Sequence, residues 1–300
     1  MKSLIVDSII RNSYWYKDRF EDAERILSIQ KGLDIMNVGS NQAKYGIDYS
    51  ECGLRGGNFA VGPQTLTFDF LMLRKYSSYL GKKGPRILLI ILCPFNLCLD
   101  TYRPRNGEVY KNVRYYRILD KGDIPNFDAT LYDLNVEHPS KKGLKALYHA
   151  LRQRHTYSKL AINQNNLSPE QMLEDANRRI DGWMREFDLT DLNPNHLSPM
   201  VEQSILYNKG VIDKIVSFCK DNRFKLFVVA PPISKELSGL IPDGFKERCL
   251  NSIIKEKNIQ FLDYTNDEGV NCNEYFLDSF FLNKTGRVKF TNRIVKDIYI

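Results

Sequence analysis

Histidine, the side chain that most often serves as a catalytic base near neutral pH, occurs four times in this sequence. His138, His149 and His155 lie in segments rich in lysine and arginine, where a surface histidine is the ordinary expectation. His196 follows Asn193-Pro194-Asn195, a pattern typical of a loop. The sequence therefore predicts surface positions for these residues and singles out none of them as a base.

A glycosidase pair cannot be chosen among the acidic residues from the sequence. The candidates are scattered along the chain: Asp34, Asp48, Asp263, Asp267 and Asp278. No HExxH sequence and no cluster of cysteine and histidine points to zinc. No GxGxxG or Walker loop follows the first apolar run, so nucleotide binding has no motif. We therefore expect no metal and no cofactor. The six cysteines form no CxxC pair, which predicts reduced thiols.

The elements that must position any site follow from the apolar pattern. Four short apolar runs predict strands buried on both faces: 33–38, 87–92, 224–230 and 259–262. Helical patterns between these runs indicate right-handed crossovers, a parallel sheet and the α/β class. Ligands of such sheets bind beyond the carboxyl ends of the strands. We therefore expect chemistry in four loops, which start at Gly39, Pro94, Pro231 and Asp263.

The helices are predicted from their start signals and periodicity. Ser168-Pro169-Glu170-Gln171 begins a helix, with serine as cap, proline in the first turn and glutamine three residues after the serine. Further helices are predicted at 201–219, 242–257 and 284–298. Residues 100–166 break the alternation and are rich in tyrosine, arginine and lysine. We interpret them as a large insertion after the second strand of a single domain that spans residues 1–300.

The net charge of +7 is compatible with an anionic ligand, but no basic stripe or motif predicts nucleic-acid binding. The basic stretch 141–159 has two interpretations, a solvated helix face or a surface that binds phosphorylated lipid or acidic glycan.

Asp7 makes residues 1–10 a poor secretion signal, and the apolar run 87–99 is too short to cross a bilayer. We therefore expect a cytoplasmic protein without a transmembrane segment.

Four segments, in this order, resemble blocks of the SGNH/GDSL hydrolase superfamily. They are 34–48 with Gly39-Ser40-Asn41, 58–66 with Gly62, 92–96 with Asn96, and 275–286 with Asp278 and Phe281. The similarity is to glycan-associated bacterial members, including the D-alanyl-transfer proteins of teichoic acid pathways. The resemblance implies a three-layer α/β/α sandwich with a parallel, flavodoxin-like sheet.

The resemblance also implies roles for individual residues. In such hydrolases a serine attacks an ester carbonyl, a histidine takes its proton, and an aspartate three residues earlier orients the histidine. In this sequence the nucleophile position is Asn41, the histidine position is Phe281, and Asp278 is kept. Loss of either the serine or the histidine costs about a millionfold in turnover. The ligand-binding or oxyanion positions correspond to Gly39, Gly62 and Asn96.

The sequence thus predicts an SGNH-like pseudoenzyme with a degenerate triad. Its expected role is that of a binding or accessory protein in glycan acyl-group handling during bacterial surface polysaccharide biosynthesis. The expected partners are a carbohydrate or acylated glycan ligand and a partner enzyme. The alternative is an active carbohydrate esterase or O-acyltransferase that uses Ser40 or an unaligned base. A third hypothesis is unrelated chemistry in the cleft, with Asn41, Asn96 and Asp278 as polar ligands.

Each matching position also has a purely structural alternative. Gly39 suits the turn after any first strand, Gly62 suits an ordinary loop, Asn96 can satisfy backbone groups at a strand end, and Asp278 can cap the last helix. The family assignment predicts instead that these residues converge at one end of the sheet. It also predicts that the insertion borders the cleft and adds positive charge there.

Overall fold

A computed structural model describes residues 2–101, 112–152 and 167–299 of the chain. The chain divides into two compact units, one of Met1–Ile29 with Tyr102–Ser158 and one of Gln30–Thr101 with Lys159–Ile300. Residues 1–29 were not predicted to belong with the insertion, yet they form one unit with it. Three parts of the insertion lie outside the described residues: the segment Tyr102-Arg103-Pro104-Arg105, His155, and the part of 141–159 beyond residue 152.

The larger unit contains a five-stranded, all-parallel sheet, which confirms the predicted α/β class. Its strands are β1 (Ile35–Gly39), β2 (Gly56–Asn58), β3 (Ile87–Ile91), β4 (Lys225–Ala230) and β5 (Gln260–Asp263). The strand order is β2-β1-β3-β4-β5. This is the doubly wound order in which ligands bind at the point where the direction of winding reverses, between β1 and β3.

The α-helices are numbered in chain order over both units. They are α1 (Lys2–Asn12), α2 (Tyr14–Arg19), α3 (Glu21–Leu27), α4 (Asn41–Gly46), α5 (Leu66–Tyr76), α6 (Ala129–Tyr132), α7 (Leu144–Arg152), α8 (Pro169–Phe187), α9 (Pro199–Asp221), α10 (Lys235–Gly239), α11 (Asp243–Lys246), α12 (Ser252–Glu256) and α13 (Lys284–Ile298). A π-helical turn, Glu247–Asn251, joins α11 to α12. None of the described helices has the length and apolar character that crossing a membrane requires.

The predicted strands and helices of the larger unit agree with these bounds to within two residues, except that the single helix predicted at 242–257 is divided into α11, the π-helical turn and α12. The capping box predicted at Ser168 is present, because Ser168 Oγ accepts from Gln171 N–H and the Gln171 side chain accepts from Ser168 N–H. The prediction missed β2, since its sequence Gly-Gly-Asn has none of the apolar residues that mark a buried strand. It pairs with β1 at the edge of the sheet.

Alternate residues of the strands build the core of the larger unit. Ile35, Leu89 and Phe227 belong to one buried cluster with Phe290 and Ile294 of α13. The intervening strand residues point to the opposite face and are also buried, while α5 contacts β1 and α9 contacts β4. Helices therefore cover the sheet, an arrangement consistent with a three-layer sandwich.

The smaller unit is helical in its described part. It combines α1, α2, α3, α6 and α7 with short 3-10 and π turns, and Ile10, Tyr16, Phe20 and Tyr115 are among its fully or almost fully buried side chains.

Three polar side chains tie β1, β2 and the end of α4 together. Asn37, fully buried in β1, donates to Asn58 Oδ1 at 3.0 Å and accepts from the Tyr49 hydroxyl at 3.1 Å. Asn58 donates in turn to the backbone oxygens of Ala43 and Ile47, at 2.9 and 3.2 Å. Because these carbonyls lie at the end of α4, the amide of Asn58 caps that helix and fixes it against the sheet.

We expect Asn58→Ala to lower the free energy of unfolding by about 1–3 kcal/mol, because it removes the acceptor of the buried Asn37 amide and a donor to the carbonyls of Ala43 and Ile47. Tyr49→Phe is the matched control and removes a single hydrogen bond, for a loss of about 0.5–1.5 kcal/mol. Urea unfolding followed by circular dichroism measures both. Equal losses in the two variants would contradict the capping role.

Candidate functional site

The turn after β1 permits only glycine at its first position. Gly39 has φ +144°, and a Cβ there would lie 2.7 Å from Ala43 Cβ and 2.9 Å from the Ile91 oxygen of β3. Ser40 follows as the residue before α4, and its Oγ accepts a hydrogen bond from Gln64 N–H at 3.0 Å. The close approach of β1, β3 and α4 thus fixes the position of Ser40 and of Asn41 after it.

Gly62, Asn41 and Gly39 lie together at the carboxyl end of β1. A Cβ on Gly62 would lie 1.8 Å from Asn41 Oδ1, so the asparagine side chain occupies the space above that glycine. Val61 N–H donates to the Gly39 oxygen at 3.2 Å, and the Gly62–Pro63 peptide bond is cis. The structure therefore brings together three of the residues singled out in the sequence.

Asn96 lies beyond β3, on a 3-10 turn that runs from Pro94 to Cys98. Its Oδ1 accepts from Cys93 N–H at 2.7 Å, and its own N–H donates to the Cys93 oxygen at 3.0 Å. The Asn96 side chain thus satisfies a backbone group at the end of a strand, as the structural alternative predicts. The Nδ2 group remains the part of the side chain with the chemistry of an oxyanion donor.

Asp278 is bound by backbone amides and by an arginine. Its Oδ1 accepts from Phe280 N–H at 2.9 Å and from Phe281 N–H at 2.8 Å, and its Oδ2 lies 3.2 Å from a guanidinium nitrogen of Arg179. The ring of Phe281 is edge-on to Tyr45 of α4, with centroids 5.1 Å apart, and 5.3 Å from the guanidinium carbon. An arginine thus pairs with the Asp278 carboxylate and lies beside the Phe281 ring.

A second carboxylate, Asp175, completes this cluster, and the sequence analysis missed it. Asp175 Oδ2 accepts from Ser279 N–H and Oγ–H at 3.1 and 2.6 Å and lies 3.2 Å from Arg179. Burial favours the protonated form, but the bonds from Ser279 and Arg178 and the charge of Arg179 outweigh it and lower the pKa of Asp175 to about 2. The spacing of Asp175 and Arg179, four residues on a predicted helix, was the available signal.

Aromatic side chains fill the cleft at the carboxyl ends of β3 and β4. The Phe95 and Trp183 rings lie 4.5 Å apart and the Trp183 and Phe280 rings 4.9 Å apart, and all three line the cleft with Pro94, Pro231 and others. The remaining cavity has a volume of about 20 Å³. That is room for about one water molecule.

Beneath the turn lies Asp69 of α5, a buried carboxyl that the sequence analysis did not single out. Gln64 Nε2 donates to its Oδ1 at 2.5 Å, and the Gly39 N–H also bonds to it. Burial raises the pKa of Asp69 to about 8 against the opposing effect of these bonds. A carboxyl in the apolar run Leu66-Thr67-Phe68-Asp69-Phe70-Leu71 was the signal that could have identified it.

The other candidates serve local roles. His196 bonds to the exposed Asp191 at 2.7 Å, and Asp34 pairs with Arg55 at 3.1 Å. Asp48 accepts from Ser50 N–H, while Asp263 and Asp267 cap turns and border an open groove after β5. His138 and His149 belong to the smaller unit, where His138 bonds to Asp133 and His149 stacks on Trp15.

No protein-family model matches this chain, and neither does any curated protein.

We expect Asp69 to make the protein less stable as the pH rises from about 4 to about 8. The folded state keeps the proton up to about pH 8, whereas an unfolded aspartate loses it near pH 3.9. The folded state therefore binds more protons in this window, and stability falls with rising pH. Asp69→Asn should remove a loss of about a few kcal/mol between pH 5 and pH 8.

The measurement is the urea midpoint of wild type, Asp69→Asn and the exposed control Asp221→Asn at both pH values. An unchanged pH dependence in Asp69→Asn would show that the carboxyl is ionised when folded.

Proposed function

We propose that this protein is an SGNH-like pseudoenzyme that acts as an accessory protein in glycan acyl-group handling. The parallel sheet in the order β2-β1-β3-β4-β5 and the grouping of Gly39, Asn41 and Gly62 support the scaffold. The main support for a loss of hydrolytic activity is the ion pair of Asp278 with Arg179, whose guanidinium lies beside the Phe281 ring.

The chemistry follows from what these groups can do with a proton. The Asn41 amide is no nucleophile of the serine kind, and the Phe281 ring accepts no proton. A guanidinium keeps its proton at all physiological pH values, so Arg179 cannot serve as the base in place of histidine. The carboxylate that would orient an imidazole instead stabilises an arginine and the backbone before α13.

The filled cleft favours an accessory role over ligand binding between Phe95, Trp183 and Phe280. A monosaccharide needs far more space than the cavity of about 20 Å³ beside Phe95, Trp183 and Phe280. Sites for small molecules have volumes of about 300–1,000 Å³. The partner we propose is therefore an enzyme that handles acylated glycans.

We expect the wild type to hydrolyse p-nitrophenyl acetate no faster than an unrelated protein of similar lysine content, and to resist labelling by a fluorophosphonate probe. Neither Asn41→Ser nor Phe281→His alone should add turnover, because each supplies one member of a pair that acts as a unit. The double variant supplies both, with Asp278 three residues before the new histidine, and weak turnover in it would support the scaffold assignment.

The competing function is an esterase that uses Ser40, whose Oγ is held by Gln64 N–H. Ser40→Ala tests it directly. Wild-type hydrolysis or probe labelling that Ser40→Ala abolishes would overturn the pseudoenzyme proposal and establish an active enzyme.

A further inference from the structure

The smaller unit contains a shallow cavity of its own, more open to solvent than enclosed, with a volume of about 540 Å³. Its lining is Arg11, Tyr16, Arg117, Val136, Glu137 and His138. This volume lies in the range of small-molecule sites, which is about 300–1,000 Å³. The lining joins α1 and α2 to residues of the insertion, so both sequence segments of this unit contribute to it.

Arg117 is held in place by packing and by an ion pair. Its guanidinium carbon lies 5.6 Å from the ring centre of Tyr16 and 5.5 Å from that of Phe20, and it pairs with Glu24. The Tyr16 hydroxyl donates to the Asn135 oxygen at 2.9 Å. A guanidinium fixed on aromatic rings loses little side-chain entropy when it binds an anion, which favours binding.

Positive charge at this cavity exceeds negative charge. Arg11 donates to the backbone oxygen of Glu137, a group without net charge. Behind the cavity wall, Lys142 donates to Asn135 Oδ1 at 2.6 Å, and burial together with the charge of Arg19 lowers the pKa of Lys142 to about 8. Burial is the larger cause of this lowered pKa, and the positive charge of Arg19 adds to it.

The acidic side chains nearby are already neutralised. Glu137 Oε1 accepts from Lys121 at 2.9 Å, and Asp133 accepts from Lys141 at 2.7 Å and lies 2.5 Å from His138 Nδ1. Asp133, Glu137 and His138 are close enough together to hold a metal ion. The lysines on both carboxylates oppose a cation there, so the electrostatics favour an anionic ligand.

We propose that this cavity binds a phosphate monoester through the guanidinium groups of Arg11 and Arg117. A planar guanidinium offers paired N–H donors that match phosphate oxygens, and a dianion compensates the surplus positive charge. The volume of about 540 Å³ exceeds what one phosphate needs, so the site also has room for the group that carries it. The proposal does not depend on the role of the sheet, because it concerns binding in the other unit.

The test is isothermal titration calorimetry of the full chain with glucose 1-phosphate and with glucose. We expect binding of the phosphate ester alone, weakened about tenfold or more by Arg11→Gln, since a hydrogen bond to a charged group contributes about 1.5–3 kcal/mol. Arg117→Lys keeps the charge but not the paired donors, and should weaken binding as well. Arg152→Gln, an exposed arginine of the same unit outside the cavity lining, is the matched control.

A second arm distinguishes a soluble phosphate ester from a lipid headgroup. Sedimentation with phosphatidylcholine vesicles, with and without phosphatidic acid, should show binding that depends on phosphatidic acid and on Arg11 if the phosphate belongs to a lipid. Binding in either arm that Arg11→Gln reduces and Arg152→Gln does not supports the site. Absence of binding in both arms, or equal binding by wild type, Arg11→Gln and Arg117→Lys, would overturn it.

Discussion

The close contact of Gly39 with β3 and α4 is the constraint on which the arrangement at the sheet edge depends. No side chain fits between Gly39, the Ile91 oxygen and Ala43, so α4 starts directly above the sheet and carries Asn41 to the space over Gly62. Asn58 fixes the other end of the same helix. Asp69 accepts the Gly39 N–H from below. Contacts with β3, α4 and α5 therefore fix the conformation of the turn, independently of any chemistry that Ser40 and Asn41 perform.

Local sequence patterns were sufficient for most of the larger unit and insufficient for the smaller one. The four apolar runs and the Ser168 capping box encode their structure within a few residues, and the structure follows them. The joining of residues 2–29 with the insertion depends on contacts between segments about a hundred residues apart, as in the bond from Tyr16 to Asn135. Neither segment alone carries a sign of that pairing. The same holds for Arg179 and Asp278, whose ion pair connects α8 to the loop before α13.

Under the proposed pseudoenzyme assignment, the Arg179 cluster accounts for the loss of a triad position without loss of the fold. In a triad, a carboxylate beside an imidazole is compensated only when the ring is oriented or protonated. In this chain Arg179 supplies permanent compensation to Asp175 and Asp278 at once, and packs 5.0 Å from the Phe280 ring centre. The loop before α13 therefore gains stability from a group with no useful acid–base chemistry near neutral pH.

The packing of Phe95, Trp183 and Phe280 sets an energetic limit on ligand binding in the cleft that these side chains fill. Displacing a packed aromatic side chain such as Trp183 or Phe280 forfeits burial comparable to that lost in a large-to-small substitution, about 3–5 kcal/mol. A ligand of millimolar affinity gains about 4 kcal/mol, which such a displacement would cancel. A ligand of that strength can bind this protein only where space and charge already exist. The cavity beside Arg11 and Arg117 meets both conditions, whereas the cleft beside Phe95, Trp183 and Phe280 lacks the space.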